Sequence, residues 1–431
     1  MVCAGDLAGQ LRGKAVPRRN LEARRDTGIG WTPTNVFITS FGPIAPSPWG
    51  ALGDLLIRPD FAALVDLDLA DWGVRESFVL GDILELDGTH WSCCPRGQLK
   101  AAAARLEERH GLTIQAAFEH EFHYSGAEAQ PGLGYALRAL RRMGDFPDRL
   151  MAVLDRAGLT LDTFMPEYGP GQCEVTVGHQ PALRAADEAS ILRELVRATA
   201  RGLGARASFA PILDPDGVGN GVHVHFSLLD SNGEPVNHDG AQPFGVSRTA
   251  GAFLAGVLRH LPDFLALTAP AVVSYLRLTP NRWSAAYTNL GNQDREAALR
   301  ICPVFGPRED SHVARAFHFE FRAADAAATP HLVLAALINA GIAGLDADLP
   351  TPTVTEADLS TLDPAQVADL GCQRLPQSLA EALDRLAASD WARAAFGETL
   401  VDTFLRHKRT EIEVMEGLSE AEMCGVYGRG Y

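Results

Sequence analysis

Apolar and polar positions change their rhythm near residue 96. Before it, short strand-like runs are separated by turn-rich segments such as FGPIAPSPWGALGD and LDGTHW, which predicts a small strand-built unit over residues 1–96. GQLKAAAARLEERHG then supplies strong helix formers ending at Gly111, so the boundary falls at Arg96 or Gly97 and a second unit occupies 97–431. In that unit the strand-like TIQAAFEHEFHY, QCEVTV, ASFAPIL, GVHVHFSLL, AALRICPV and AFHFEFRAA are mixed with helical RAADEASILRELVRATARGL and HLVLAALINAGIAGL. The period keeps Leu375 to Glu413 helical. Strands mixed with helices, without regular βαβ spacing, predict an α+β fold.

Composition narrows what this fold does. The chain has 431 residues, 46% of them hydrophobic, enough for two or more cores at roughly 100–200 residues per domain. Its formal net charge of −16 supplies no positive field for a phosphate backbone, so nucleic acid is not an expected partner. The N-terminus lacks the apolar core of a secretory signal, and Leu332–Leu345, the longest nearly apolar run, is too short to cross a bilayer. No membrane role is expected, and the cytoplasm is the expected location. Seven cysteines form no C-x-x-C pair, and adjacent Cys93 and Cys94 rarely bridge, so reduced thiols are expected. Only Lys14, Lys100 and Lys408 are lysines, and none sits in a P-loop. Lys100 and Lys408 fall in charged helical patterns that predict solvated faces. Any nucleotide chemistry must therefore use arginines and metal ions.

Glu119 and Glu121 are two apart in AAFEHEFHY, so both carboxylates project from one face of a strand. Such a pair is either an acidic, solvated decoration or a cation site. His223 and His225 repeat the geometry after the GVGNG turn, again with a structural or a functional reading. Glu167 and Glu174 flank YGPGQC, whose Gly and Pro residues permit a tight reversal, and Glu320 and Arg322 form a further strand pair. Ligands that are mostly oxygen suit Mg²⁺ or Mn²⁺ rather than structural zinc. Two such ions can hold a triphosphate without a P-loop. Arg277, Arg295, Arg300 and Arg322 offer permanently charged donors for carboxylate or phosphate.

The ordered series FEHEF, EYGPGQCE, GNGVHVHFS, RLTPNRW, NQDREAALR and EFRAADAAATPHLVLAALINAG resembles the catalytic domain of the type I glutamine synthetase family. The resemblance runs from about Leu99 to the C-terminus. It implies a small N-terminal β-grasp domain, a catalytic α+β domain, and a homo-oligomer, a double-ring dodecamer with sites between subunits. It implies one ion on Glu121, Glu167 and Glu174 and a second on Glu119, His223 and Glu320. Arg277 and Arg322 then grip glutamate beside the Gly219 backbone, while Arg295, Arg300 and His225 face the ATP phosphates. The implied chemistry is phosphoryl transfer to the glutamate γ-carboxylate, giving an acyl phosphate that an amine attacks. Arg277, Arg295 and Glu320 are the expected catalytic residues.

Departures from the family pattern bear on the expected substrate. Where glutamine synthetases read R-L-V-P-G-Y-E-A-P, this chain reads RLTPNRWSA, so Trp283 stands in place of a glutamate that helps bind ammonium. An indole offers apolar area and a cation–π face, which points to an organic amine and a γ-glutamylamide product. Arg282, if directed into the same pocket, disfavours a diamine. His318 replaces an arginine on the phosphate side, GWTPTNVFITSFG has no Asp to deprotonate ammonium, and residue 1 falls inside the expected first β-grasp strand. Glutamine synthesis from ammonium, or a non-catalytic structural or regulatory role, are the alternatives.

Overall fold

In the segment Leu55–Leu69, the positions Leu55, Ile57, Ala63, Val65 and Leu67 are buried and most of their neighbours are not, the signature of a strand with one covered face. It is β4 of a five-stranded sheet made with β1 (Val2–Gly5), β2 (Leu11–Lys14), β3 (Ile29–Trp31) and β5 (Val74–Leu84), in the order β2-β1-β5-β4-β3. β5 is central and buried throughout its second half. β1 runs parallel to it and the other pairs are antiparallel, as a β-grasp sheet requires. The structure is a computed structural model that describes residues 1–307 and 309–431.

The helix Pro95–His110 follows. Proline occupies its first turn, Cys94 Sγ accepts the Gly97 N–H, and Gly111 at φ 63° ends it. Beyond it lies a ten-stranded sheet of β6 (Thr113–Tyr124), β7 (Leu161–Pro166), β8 (Gln172–Val177), β9 (Gln180–Pro181), β10 (Ala207–Ser208), β11 (Val222–Leu229), β12 (Leu290–Asn292), β13 (Leu299–Ile301), β14 (Phe319–Phe321) and β15 (Val354–Thr355). Its main path runs β15-β12-β13-β14-β11-β6-β8-β7, with β9 and β10 also on β6. The α+β expectation holds, although ASFAPIL contributes only the two residues of β10.

Helices Ala182–Gly202, Arg248–Thr268 and Pro330–Asp346 supply much of the apolar core. Gly256 and Gly344 let the last two approach: a Cβ on Gly256 would lie 2.1 Å from the Ala340 carbonyl oxygen. Arg248–Thr268 is long and apolar enough to cross a membrane by length and composition, but 78% of its apolar window is buried inside the protein. It is packed as a core helix. All seven cysteines are free and buried.

The tail is helical in pieces, Leu379–Ala388, Asp390–Phe396 and Glu398–Met415, with breaks at Ser389 and at Gly397 (φ 85°). The expectation of a solvated Lys408 is wrong. Lys408 is fully buried and its Nζ donates to Glu411 Oε2 at 2.9 Å. The charged string RHKR wraps more than one side of a helix, and Lys408 shares the buried stripe of Phe404, Glu411 and Met415. Lys100 is partly buried and pairs with Asp82 at 2.5 Å.

Candidate active site

Strand register builds one row of chemistry across five strands. Glu121 pairs with Glu174 of β8, Glu119 with His223 of β11, and His225 with Glu320 of β14, which in turn faces Arg300 of β13. Paired positions share a face, and residues two apart on a strand do too, so all seven side chains project from the same side of the sheet. His120, between the two glutamates, points the other way into the core and is 1% exposed.

Two groups that include carboxylates come together at this row, each with its ligand atoms within 4.8 Å: Glu119, His223 and Glu320, and Glu121, Glu174 and His223. The first is the trio expected for one ion. Glu167 is not in the second group; its Oε2 accepts from Tyr135 Oη at 3.0 Å and from the Tyr168 N–H at 2.7 Å. Glu121 Oε2 accepts the Gly221 N–H at 2.6 Å, and His223 Nδ1 lies 2.7 Å from Glu119 Oε1.

The electrostatics show a crowd of acids. Burial, reinforced by the Glu119 and Glu121 charges, pushes the Glu174 carboxyl from 4.5 to about 10. Burial and the nearby Glu121 also raise Glu167. Glu320, 1% exposed, goes the other way: burial opposes its ionisation, but Arg322, His223, His225 and Arg300 outweigh that and hold it at about 2. For Glu119 burial is likewise outweighed, by the two histidines, and its carboxyl is held well below the ordinary range. Burial and the crowded anions together keep the Glu174 carboxyl neutral in the absence of a cation, which a bound cation would reverse. The donor set fits hard divalent ions, with Glu119, His223 and Glu320 in one group and Glu121 and Glu174 in the other.

The arginines stand beside these ligands. Arg277, 3% exposed, lies against Gly219: a Cβ there would come within 2.4 Å of Arg277 Cγ. Its Nη1 donates to Ser284 Oγ at 2.8 Å, Nη2 donates to the Ala324 carbonyl, and Nε has no partner among the described residues. Arg322 makes three contacts, from Nε to the Arg295 carbonyl at 2.9 Å, from Nη1 to Glu320 Oε1, and from Nη2 to the Trp283 carbonyl at 3.1 Å. Arg300 Nη1 donates to Glu320 Oε2 at 2.8 Å. The Arg295 side chain is exposed.

Trp283 is 63% exposed, at φ 52°, two residues after Asn281 at φ 62°. This left-handed backbone is unusual for an indole side chain. Arg282 turns away, donating to the Gly217 and Pro215 carbonyls at 2.9 Å each, so it does not supply the repulsion that disfavours a diamine. Glu296 went unnoticed in the sequence. Its Oε1 accepts the Trp283 N–H and its Oε2 the Asn281 N–H, both at 3.1 Å. The available signal was its place in DREAALR, beside Arg295. A cavity of about 380 Å³ borders this loop, lined among others by Asp294, Glu296, Glu356 and Asp358.

Two family models lie end to end along the chain, the glutamine synthetase N-terminal domain over residues 1–91 and the glutamine synthetase catalytic domain over residues 92–424. The chain belongs to the glutamine synthetase family. Its similarity to the gamma-glutamylpolyamine synthetase GlnA3 of Streptomyces coelicolor is 34% identity, over 98% of this chain and 91% of that one. The glutamine synthetase of Halobacterium salinarum is 29% identical over 97% and 90% of the two chains. Among solved structures, a crystal structure described as a novel glutamine synthase homolog superposes with a TM-score of 0.90 and 39% identity, covering 100% of this chain and 97% of that one. A GmaS/ADP complex superposes at 0.82 and 25% identity, covering 98% and 94%.

Proposed function

We propose that this member of the family joins the glutamate γ-carboxylate to an organic amine. A γ-carboxylate oxygen attacks the ATP γ-phosphorus and ADP leaves. The amine nitrogen then attacks the acyl carbon of the γ-glutamyl phosphate, phosphate leaves, and the amine loses one proton. Glutamate–amine ligation is the chemistry of the family; the choice of an organic amine over ammonium rests on Trp283.

In this reading Arg277 and Arg322 hold the glutamate carboxylates beside the Gly219 backbone, since each carries a permanent charge in a largely buried setting. Arg295, Arg300 and His225 meet the phosphates. Glu121, Glu167 and Glu174 hold one divalent ion, Mg²⁺ or Mn²⁺, and Glu119, His223 and Glu320 another, which supply positive charge to the phosphates when bound. Arg300 and Arg322 both lie on Glu320, so a cation there competes with them for the same carboxylate and frees guanidinium donors for substrate.

The observation that carries the amine assignment is an exposed indole where the family has a carboxylate, on a loop from which Arg282 is turned away. Carbon buried against such a ring contributes about 25 cal/mol per Å², which ammonium cannot use. Its exposure in the single chain agrees with a pocket completed by a neighbouring subunit of a homo-oligomer, of which the dodecamer is the form proposed. The four carboxylates of the adjoining cavity favour an amine that carries a second positive charge.

The test is ADP release by the purified protein with glutamate and ammonium or a panel of mono-, di-, poly- and aromatic amines. Release that requires both glutamate and an organic amine is expected. Higher kcat/KM for ammonium than for every amine overturns the specificity, and no release with any of them overturns the enzyme.

A further inference from the structure

One end of the row is chemically unlike the rest. His225 comes from β11, Cys302 directly follows β13 and His318 directly precedes β14. One ligand atom from each lies within 4.8 Å of the other two, and Cys302 Sγ is 3.8 Å from His225 Nδ1. A tetrahedral ion bound at about 2.3 Å by sulfur and 2.0–2.1 Å by nitrogen sets sulfur and nitrogen ~3.6 Å apart, so little closure is needed.

The imidazoles are oriented as ligands. His318 Nδ1 lies 2.8 Å from the Ala316 carbonyl, which can only accept, so Nδ1 carries the proton and Nε2 keeps a lone pair. His225 turns Nδ1 to Cys302, while its Nε2 is 3.5 Å from Glu119 Oε2. His318 thus has the hydrogen-bonded outer nitrogen that metal-binding histidines characteristically have, and His225 has a carboxylate oxygen at ion-pair distance from its own. Two imidazoles and a thiolate are a soft set, unlike the carboxylates alongside. Cys302 is 5% exposed and both histidines are partly exposed, which leaves a path for the ion and for a fourth ligand from solvent.

We propose that His225, Cys302 and His318 bind one borderline-soft divalent cation of the Zn²⁺ type, with a ligand set distinct from that of the hard ions but adjoining it, so that such an ion takes His225 away from the phosphates. Cys302 Sγ lies 3.8 Å from Glu320 Oε2, which Arg300 also holds, so an ion there stands beside the groups assigned to the phosphates. A second consequence, which rests on the ligase reading, is inhibition by Zn²⁺ that Cys302→Ser relieves.

Cobalt titration of the metal-free full chain in saturating Mg²⁺ tests the site without turnover. One Co²⁺ per chain should produce a thiolate-to-cobalt charge-transfer band that Zn²⁺ abolishes. Cys302→Ser should remove the band and Cys424→Ser should keep it. His318→Asn provides a second variant should Cys302→Ser lose its thermal transition; there Co²⁺ should bind at least about tenfold more weakly. Absence of the band in the wild type, or its persistence undiminished in Cys302→Ser, overturns the site. The band without ADP release under any amine would sink the ligase reading alone.

Discussion

Glu296 accepts the backbone N–H of Trp283 at 3.1 Å and, with its other oxygen, that of Asn281 at the same distance. One carboxylate therefore satisfies both residues of the loop whose backbone is left-handed. Arg322 donates to the Trp283 carbonyl, so the backbone that carries the indole is held at its N–H and at its C=O by two charged groups. Removing the carboxylate by Glu296→Ala releases both N–H groups and should lower kcat/KM for the amine at least about tenfold, since one charge-assisted hydrogen bond alone contributes about 1.5 kcal/mol. The KM for glutamate should change much less. Steady-state kinetics with each substrate varied in turn checks this, and an equal loss for both substrates would refute a positioning role confined to the loop.

Trp283 is exposed, so Trp283→Gly should leave Tm unchanged or slightly raised, since glycine adopts the φ of 52° without strain. The same variant should reduce the preference for organic amines over ammonium. Calorimetry and the amine panel on one preparation give both readouts. A large drop in Tm would show that the indole is a packing residue.

Arg322→Lys cannot reproduce contacts to the Arg295 carbonyl, Glu320 and the Trp283 carbonyl together, because an ammonium lacks the planar fork. A loss of about 1.5–3 kcal/mol is expected, roughly 10- to 150-fold in kcat/KM for glutamate. Unchanged kinetics would remove Arg322 from the substrate site.

Metal binding should depend on pH through Glu174. Its folded carboxyl titrates near 10 against an ordinary 4.5, so between those values the metal-free folded chain holds a proton that the unfolded chain has released. Stability of the metal-free protein then falls as pH rises through that window. A divalent cation needs the carboxylate, so binding expels the proton and tightens with pH by up to about tenfold per unit. Isothermal titration with Mn²⁺ in buffers of different ionisation enthalpy reports the released proton. Its absence, or affinity independent of pH, would contradict the arrangement.

Lys408 offers a test away from the site. Lys408→Met leaves the fully buried Glu411 without its partner and should destabilise the fold by about 3–5 kcal/mol, while adding Glu411→Leu should restore much of the loss. Thermal or urea unfolding of the single and double variants measures it. A single variant as stable as wild type would show that burial alone keeps Glu411 neutral.

Much of this was legible from period and spacing. The alternation in FEHEF and GVHVH already places Glu119 with Glu121 and His223 with His225 on common faces, and strand pairing then joins the two sets. What the chain order hides is pairing between distant segments. Nothing local says that Cys302 approaches His225 or that Glu296 reaches back to Asn281, because those contacts depend on strand neighbours and on a loop returning over the sheet. Lys408 departs from the expected solvated face for a related reason: a run of charges has no visible inside until the partner of its helix is known. Arg282 shows the converse, since its neighbour Trp283 suggested a pocket while its side chain is tied to Gly217 and Pro215.

The separation between a row fixed by strand register and a loop held by Glu296 and Arg322 has a consequence for substitution. Changes to the row are all-or-nothing, because a shift of one residue turns every ligand on that strand to the other face. The loop presents an exposed side chain whose backbone is fixed by other residues, so on the proposed reading a replacement of Trp283 changes the nucleophile's surroundings without moving the row.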